Sequence, residues 1–433
     1  MINQKHLLHS MCHSLPCILF LLCVVQVQSL RAQEIDILLK GGHVIDAKNK
    51  IDAKMDVAII NGKISQVATD ISIKNAKKVI DVAGLLVTPG LIDMHVHVFM
   101  GNDLDAYIAN GPTSVAPDGF TFRAGVTTVV DAGSSGWRNF RQFKEQTIDK
   151  AQTRVLALLN IVGTGMVGRF EEQDVSDMNP VMTAYMINKL FPDIIVGIKS
   201  AHYWGDFTQV DRAVETGNLA NVPVMVDFGE HDPTNSIEAL FMKHLRPGDM
   251  FTHTYAYGPK QRETVVDENV RLPDGQGKVK PFIFEAQKRG IIFDVGHGGG
   301  AFWWRQAVPA IQQGFKPDVI STDLHTQSMN GGMKDLTNVL SKFLNMGMSV
   351  QEVIARATSA PASVIKRPDL GHLSVGAEAD VAVFNVRKGD FGFLDVHGTK
   401  LKGTQKLEAE LTIRAGKIVW DLNGISAPVW DAK

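Results

Sequence analysis

His95 and His97, two histidines separated by one residue, are the side chains of this chain best placed to do chemistry. Alternate residues of a strand share one face. In an extended run both imidazoles therefore point the same way and offer nitrogen lone pairs to one divalent cation. The pair closes the apolar run that ends Asp93-Met94-His95-Val96-His97. Such a spacing carries little weight alone. It gains weight from the ends of other apolar runs, which read Gly197-Ile198-Lys199, Thr252-His253, Asp294-Val295-Gly296-His297-Gly298 and Ser321-Thr322-Asp323-Leu324-His325. Titratable groups recurring at run ends are what a shared pocket requires, and scattered core histidines would not produce them.

The elements that must position these residues lie between about 86 and 366. Eight short β-branched apolar runs occur there, at 87–98, 127–132, 155–162, 194–198, 222–226, 250–254, 291–295 and 318–322. Longer segments of mixed polarity separate them. This alternation predicts an α/β chain, a (β/α)8 TIM barrel whose working residues sit at the C-terminal ends of its strands. A doubly wound open sheet is the alternative, although no GxGxxG turn follows the first run. The flanks, 33–85 and 367–433, read as short strands with turn signals such as Gly41-Gly42 and Asn61-Gly62. Neither flank is large enough to bury a good core alone. The two ends are expected to build one small β-sandwich domain together.

The formal net charge of the 433 residues is −2, with no basic block. Nucleic acid is thereby disfavoured as a partner, since phosphate binding needs clustered positive charge. Residues 1–32 have a weakly basic start and an apolar stretch at 15–25 that is short for a bilayer span, which predicts a signal peptide. An uncleaved N-terminal anchor is the alternative. Cleavage would leave a secreted or periplasmic protein with no transmembrane segment. Cys12, Cys17 and Cys23 all lie in this leader, so the mature chain would have no disulfide and no thiolate. Any metal must then be held by His, Asp, Glu or a lysine-derived oxygen.

The segment Val87-Thr88-Pro89-Gly90-Leu91-Ile92-Asp93-Met94-His95-Val96-His97 resembles the first strand of the amidohydrolase superfamily. Ala357-Thr358-Ser359-Ala360-Pro361-Ala362 and residues 371–384, with Gly376-Ala377-Glu378-Ala379-Asp380-Val381, are similar to later parts of that superfamily. Val196-Gly197-Ile198-Lys199, the Asp294–Gly299 stretch and Ser321-Thr322-Asp323-Leu324-His325 resemble its deacetylase-like metal-dependent hydrolases, relatives of dihydroorotase and D-aminoacylase. The resemblance implies two zinc ions per chain and N6-carboxylation of Lys199. It implies that His95, His97 and Asp323 hold the first metal, that Lys199 bridges both, and that His253 serves the second. An ammonium cannot ligate a cation, whereas a lysine carbamate is an anion with two oxygens.

One position departs from the pattern. The family usually places histidine where Asp227 stands. Asp227 is an oxygen ligand in its own right; His231, four residues on, is the alternative ligand or a loop residue facing substrate. The reaction implied is water attack on an acyl carbonyl, with Asp323 as general base and then acid. The substrate implied is a small carboxylate such as an N-acyl amino acid or an acylated hydroxy acid. A cyclic amidase of dihydroorotase type and a non-catalytic binding relative are the alternatives. His297, Arg169 and Tyr203 are the candidate substrate contacts, and relatives of this kind commonly form homo-oligomers.

Overall fold

A computed structural model describes residues 34–101, 113–167, 170–227, 235–257 and 264–430. The leader read at 1–32 lies outside them, and no helix among the described residues is long and apolar enough to cross a membrane. The N-terminal flank supplies β1 (Ile35–Asp46), β2 (Ile51–Ile60), β3 (Lys63–Ala68), β4 (Ala76–Asp81) and β5 (Leu86–Pro89). Barrel strands β6 (Leu91–Val96), β7 (Val126–Gly136), β8 (Arg154–Asn160), β9 (Ile195–Ala201), β10 (Val224–Asp227) and β11 (Met250–Phe251) follow. A hairpin, β12 (Val266–Arg271) and β13 (Gly277–Val279), precedes β14 (Ile292–Phe293). The C-terminal flank supplies β15 (Val381–Leu394), β16 (Lys400–Arg414) and β17 (Lys417–Asp421).

Strands from both chain ends join in one sheet of order β17-β16-β15-β5-β1-β2-β3, which forks where β4 also pairs with β1. The Asn61-Gly62 turn between β2 and β3 has both residues at positive φ, 50° and 74°. That is the two-residue hairpin geometry the dipeptide favours. Leu39, Val57 and Ile59 from one end share a core with Val381, Val383 and Leu411 from the other. Each end thus supplies the apolar surface the other must bury.

The second sheet is parallel, in the order β14-β11-β10-β9-β8-β7-β6. The eighth run forms no strand of its own but bridges both edges, Val319 to Asp294 and Leu324 to Val96. It thereby closes the (β/α)8 barrel. Asp93 fastens this closure: its carboxylate accepts from Thr322 N at 3.0 Å and Thr322 Oγ1 at 2.5 Å. Burial pushes the Asp93 carboxyl up to about 7.

The first expected run, 87–98, divides at Gly90. Leu86–Pro89 pairs with β1 and β15 in the small sheet, and Leu91–Val96 opens the barrel. A Cβ at Gly90 would sit 2.2 Å from Thr127 Oγ1, so the chain can cross between sheets there only as glycine. Within β6 the register shifts between Asp93 and Val96. Ile92 and Met94 pack in the barrel interior with Val130, Leu158 and Met225. Val96 and Val98 pack in the outer cluster, with residues of the surrounding helices. The shift changes the phase of the alternation by one, which brings His95 and His97 onto the inner face as well.

Asp93→Ala is expected to lower the free energy of unfolding by about 1–3 kcal/mol, because two buried Thr322 donors lose their acceptor. Chemical denaturation with intact metal content measures it; an unchanged midpoint would remove Asp93 from the closure.

Candidate metal centre

His95, His97 and Asp323 bring their ligand atoms together in a buried group with the proximity a metal ion needs. His97 Nε2 lies 3.0 Å from Asp323 Oδ1, and His95 Nε2 lies 3.6 Å from the same oxygen. The far side of each ring settles its tautomer. The Ser134 hydroxyl donates to Asp131 at 2.7 Å, so its oxygen accepts from His97 Nδ1–H at 3.0 Å. The Thr252 hydroxyl donates to Asp294 at 2.7 Å, so its oxygen accepts from His95 Nδ1–H at 2.9 Å. Both Nε2 atoms are left as lone pairs facing a carboxylate, the arrangement that outer hydrogen bonds impose on metal-binding imidazoles. The donor set fits a divalent cation.

The titration behaviour agrees with that arrangement. Burial, then Lys199, depresses His95 to about 4, which keeps its ring neutral. Burial would raise Asp323, but His95, His97 and His325 hold its carboxyl well below the usual carboxylate range. Lys199 is fully buried, with Nζ 3.3 Å from His95 Nε2 and 3.6 Å from Met225 Sδ. Burial lowers its pKa, against the pull of Asp227 and Asp323. Asp323 itself adopts the left-handed backbone region (φ 53°), strain that persists only where surroundings over-determine it. Glycines make room around it: a Cβ on Gly298 would lie 2.4 Å from Asp323 Oδ2, and one on Gly133 2.5 Å from Lys199 Cβ.

A second group of donors adjoins the first, with the His95 and His253 ring centroids 5.2 Å apart. Asp227 Oδ2 is 3.3 Å from His253 Nε2 and 3.4 Å from His202 Nε2. His253 Nδ1–H donates to the Gly296 carbonyl at 2.6 Å, and His202 Nδ1 lies 2.8 Å from buried Glu172. Burial works against a charged His202 ring, yet Glu172 and Asp227 outweigh it and hold the pKa up to about 10.

A deacetylase of Brucella anthropi is 33% identical over 363 residues, covering 80% of this chain and 83% of its own. The chain belongs to the amidohydrolase superfamily. Another deacetylase, from Enterococcus faecalis, is 31% identical over 393 residues, covering 88% of this chain and 98% of its own. The amidohydrolase family model matches residues 327–420. Among solved structures, an adenine deaminase superposes with TM-score 0.78 at 28% identity, covering 90% of this chain and all of its own, 100%. A dihydroorotase superposes with TM-score 0.75 at 28% identity, covering 89% and 99%.

In this amidohydrolase the structure brings His95, His97, Lys199, Asp227, His253 and Asp323 to one mouth of the barrel. Arg169 and His231 lie outside the described residues. His297 is buried, its ring stacked on Phe302 at a centroid distance of 4.5 Å. Its Nδ1 faces the Gly298 carbonyl at 2.9 Å and its Nε2 accepts from Lys342 at 2.5 Å. Both ring nitrogens of His297 are therefore engaged within the protein, behind the loop that carries Gly298. Tyr203 packs its ring over Gly205 in the loop after β9. Sequence reading missed Ser134 and Asp131, whose signal was an acid one residue before the end of the apolar run 127–132.

Gly298→Ala is expected to displace Asp323 and to lower bound metal below one equivalent per chain without unfolding the barrel. Elemental analysis with a circular dichroism melt checks it; full metal content would show that Asp323 tolerates the added carbon.

Proposed function

We propose that this amidohydrolase is a zinc-dependent deacylase. Its substrate would be a small carboxylate, an N-acyl amino acid or an acylated hydroxy acid. The observation that carries the reading is the convergence of two imidazole lone pairs on Asp323, each ring tied at Nδ1 by a hydroxyl that a buried carboxylate orients. Relatives named as deacetylases support the acyl-transfer class. Nitrogen and oxygen donors without thiolate suit zinc.

A divalent ion held there supplies Lewis acidity, polarising an acyl carbonyl and acidifying a water. Asp323 moves the proton. Its Oδ1 faces both histidines, while Oδ2 looks toward His325 Nε2 at 3.8 Å. The carboxylate takes a proton from the attacking water and returns it to the leaving nitrogen or oxygen. Lys199 joins the site as a carbamate. Its neutral amine adds to CO2, forms the N–C bond and releases one proton. Burial supports the step because it favours the neutral amine. Asp131 and Asp294 keep the two imidazoles in the tautomer the site needs.

A second reading, a cyclic amidase, is favoured by the likeness to a dihydroorotase structure. A screen of zinc-loaded protein separates the two. Hydrolysis of N-acetyl amino acids or acetylated hydroxy acids is expected, with kcat reduced about 10³-fold in Asp323→Asn. Ring opening of dihydroorotate alone would transfer the assignment to the cyclic class, and turnover of neither set would contradict hydrolysis.

A further inference from the structure

Lys342 is fully buried on the helix Leu336–Asn345. An ammonium has three donors, and Lys342 spends them on three separate segments. One goes to His297 Nε2 in the loop after β14, at 2.5 Å. The others go to the Gly332 carbonyl at 2.9 Å and to the Leu394 carbonyl, at the end of β15, at 2.6 Å. The rings of Phe302 and Trp304 lie 5.0 Å and 5.5 Å from the ammonium and line its site. The Gly298 carbonyl, 2.9 Å from His297 Nδ1, only accepts, so Nδ1 carries the proton and Nε2 is the lone pair that meets Lys342. Burying an ammonium is costly, and an apolar side chain would fill the same space without that cost. What the ammonium adds is direction: it holds three segments, and one imidazole tautomer, in fixed relation.

The loop so held touches the reacting end of the site. Gly298 N donates to the Thr322 carbonyl at 2.9 Å, and Gly296 N donates to Ser321 Oγ at 3.0 Å, just ahead of Asp323. A Cβ on Gly298 would lie 2.4 Å from Asp323 Oδ2, so the backbone of residue 298 sits against the carboxylate oxygen that faces away from His95 and His97. The Gly296 carbonyl accepts from His253 Nδ1–H at 2.6 Å. On its far side the same loop meets the turn between β15 and β16. Val396 N donates to the Phe302 carbonyl at 3.1 Å, and Trp304 Nε1 donates to the Thr399 carbonyl at 2.8 Å. The C-terminal flank thus reaches the barrel mouth, and Lys342 joins it to the loop beneath Asp323.

We propose that Lys342 is a positioning residue for proton transfer by Asp323, acting through His297 and the Gly298 peptide. The inference rests on the deacylase reading for the role of Asp323 and adds to it a residue that lies outside the metal centre. Lys342 fixes the His297 ring, the ring fixes the direction of the Gly298 carbonyl, and the peptide backs Asp323 Oδ2.

The test compares Lys342→Met, His297→Phe and the double variant, as full-length protein loaded with Co2+, by turnover of N-acetyl amino acids and by visible absorption. Each single change is expected to lower kcat by about 10–100-fold with KM unchanged. The double variant is expected to be no slower than the slower single, because residues acting through one another are not additive. The Co2+ bands are expected to shift in Lys342→Met, since Asp323 is among the ligands. His297→Phe keeps a ring against Phe302 and guards against a lysine variant that fails to fold; full kcat in His297→Phe would overturn the proposal by itself. So would wild-type kcat in Lys342→Met, a change confined to KM, or a loss in the double variant equal to the product of the two singles. A wild type that turns over no acylated substrate would bring down the deacylase reading. The Co2+ spectrum of Lys342→Met then decides the positioning role alone, a shifted band upholding it and an unchanged one overturning it.

Discussion

Everything in the barrel mouth depends on where two protons sit. His95 and His97 each donate the Nδ1–H to a hydroxyl oxygen whose own proton is committed to a buried carboxylate. With those donors fixed, the Nε2 lone pairs must face Asp323, and a cation is the group that makes such a concentration of lone pairs stable in a water-poor interior. The outer carboxylates, Asp131 and Asp294, are as much a part of the site as the ligands. They decide which nitrogen of each ring is available.

The barrel is built so that this cluster stays in place. Asp93 fastens the eighth segment to the first strand through Thr322, one residue before Asp323. The register shift in β6 turns His95 and His97 inward. Gly133, Gly296 and Gly298 leave the space that the Lys199, His95 and Asp323 side chains occupy. His202, His253 and Asp323 all take up positive φ, at 59°, 58° and 53°, so local backbone strain is concentrated at the barrel mouth. Behind the Gly298 loop, Lys342 donates to His297, to the Gly332 carbonyl at 2.9 Å and to the Leu394 carbonyl at 2.6 Å. These three acceptors satisfy the ammonium, and burial brings its pKa down to about 7.

Much of this was legible in sequence because strand periodicity and strand ends are local signals. The eight apolar runs marked the barrel, and the residues at their ends include His95, His97 and Asp323, which the fold brings together. Three kinds of feature were not legible. The crossing at Gly90 lies inside one continuous apolar run, and only the close approach of Thr127 from another strand divides it. The partner of His297 is Lys342, on the helix Leu336–Asn345, and nothing near His297 announces it. His202 falls out of phase with the β9 alternation and turns toward Asp227 only through its positive φ and the Glu172–Gln173 turn. Residues placed by backbone strain and long-range hydrogen bonds escape a reading based on period.

The most direct measurement is anomalous diffraction at the zinc edge from crystals of the purified protein. The expected result is a peak among His95 Nε2, His97 Nε2 and Asp323 Oδ1, at bonding distance from all three. No peak there, in crystals grown with zinc present, would contradict the metal centre on which the whole functional reading rests.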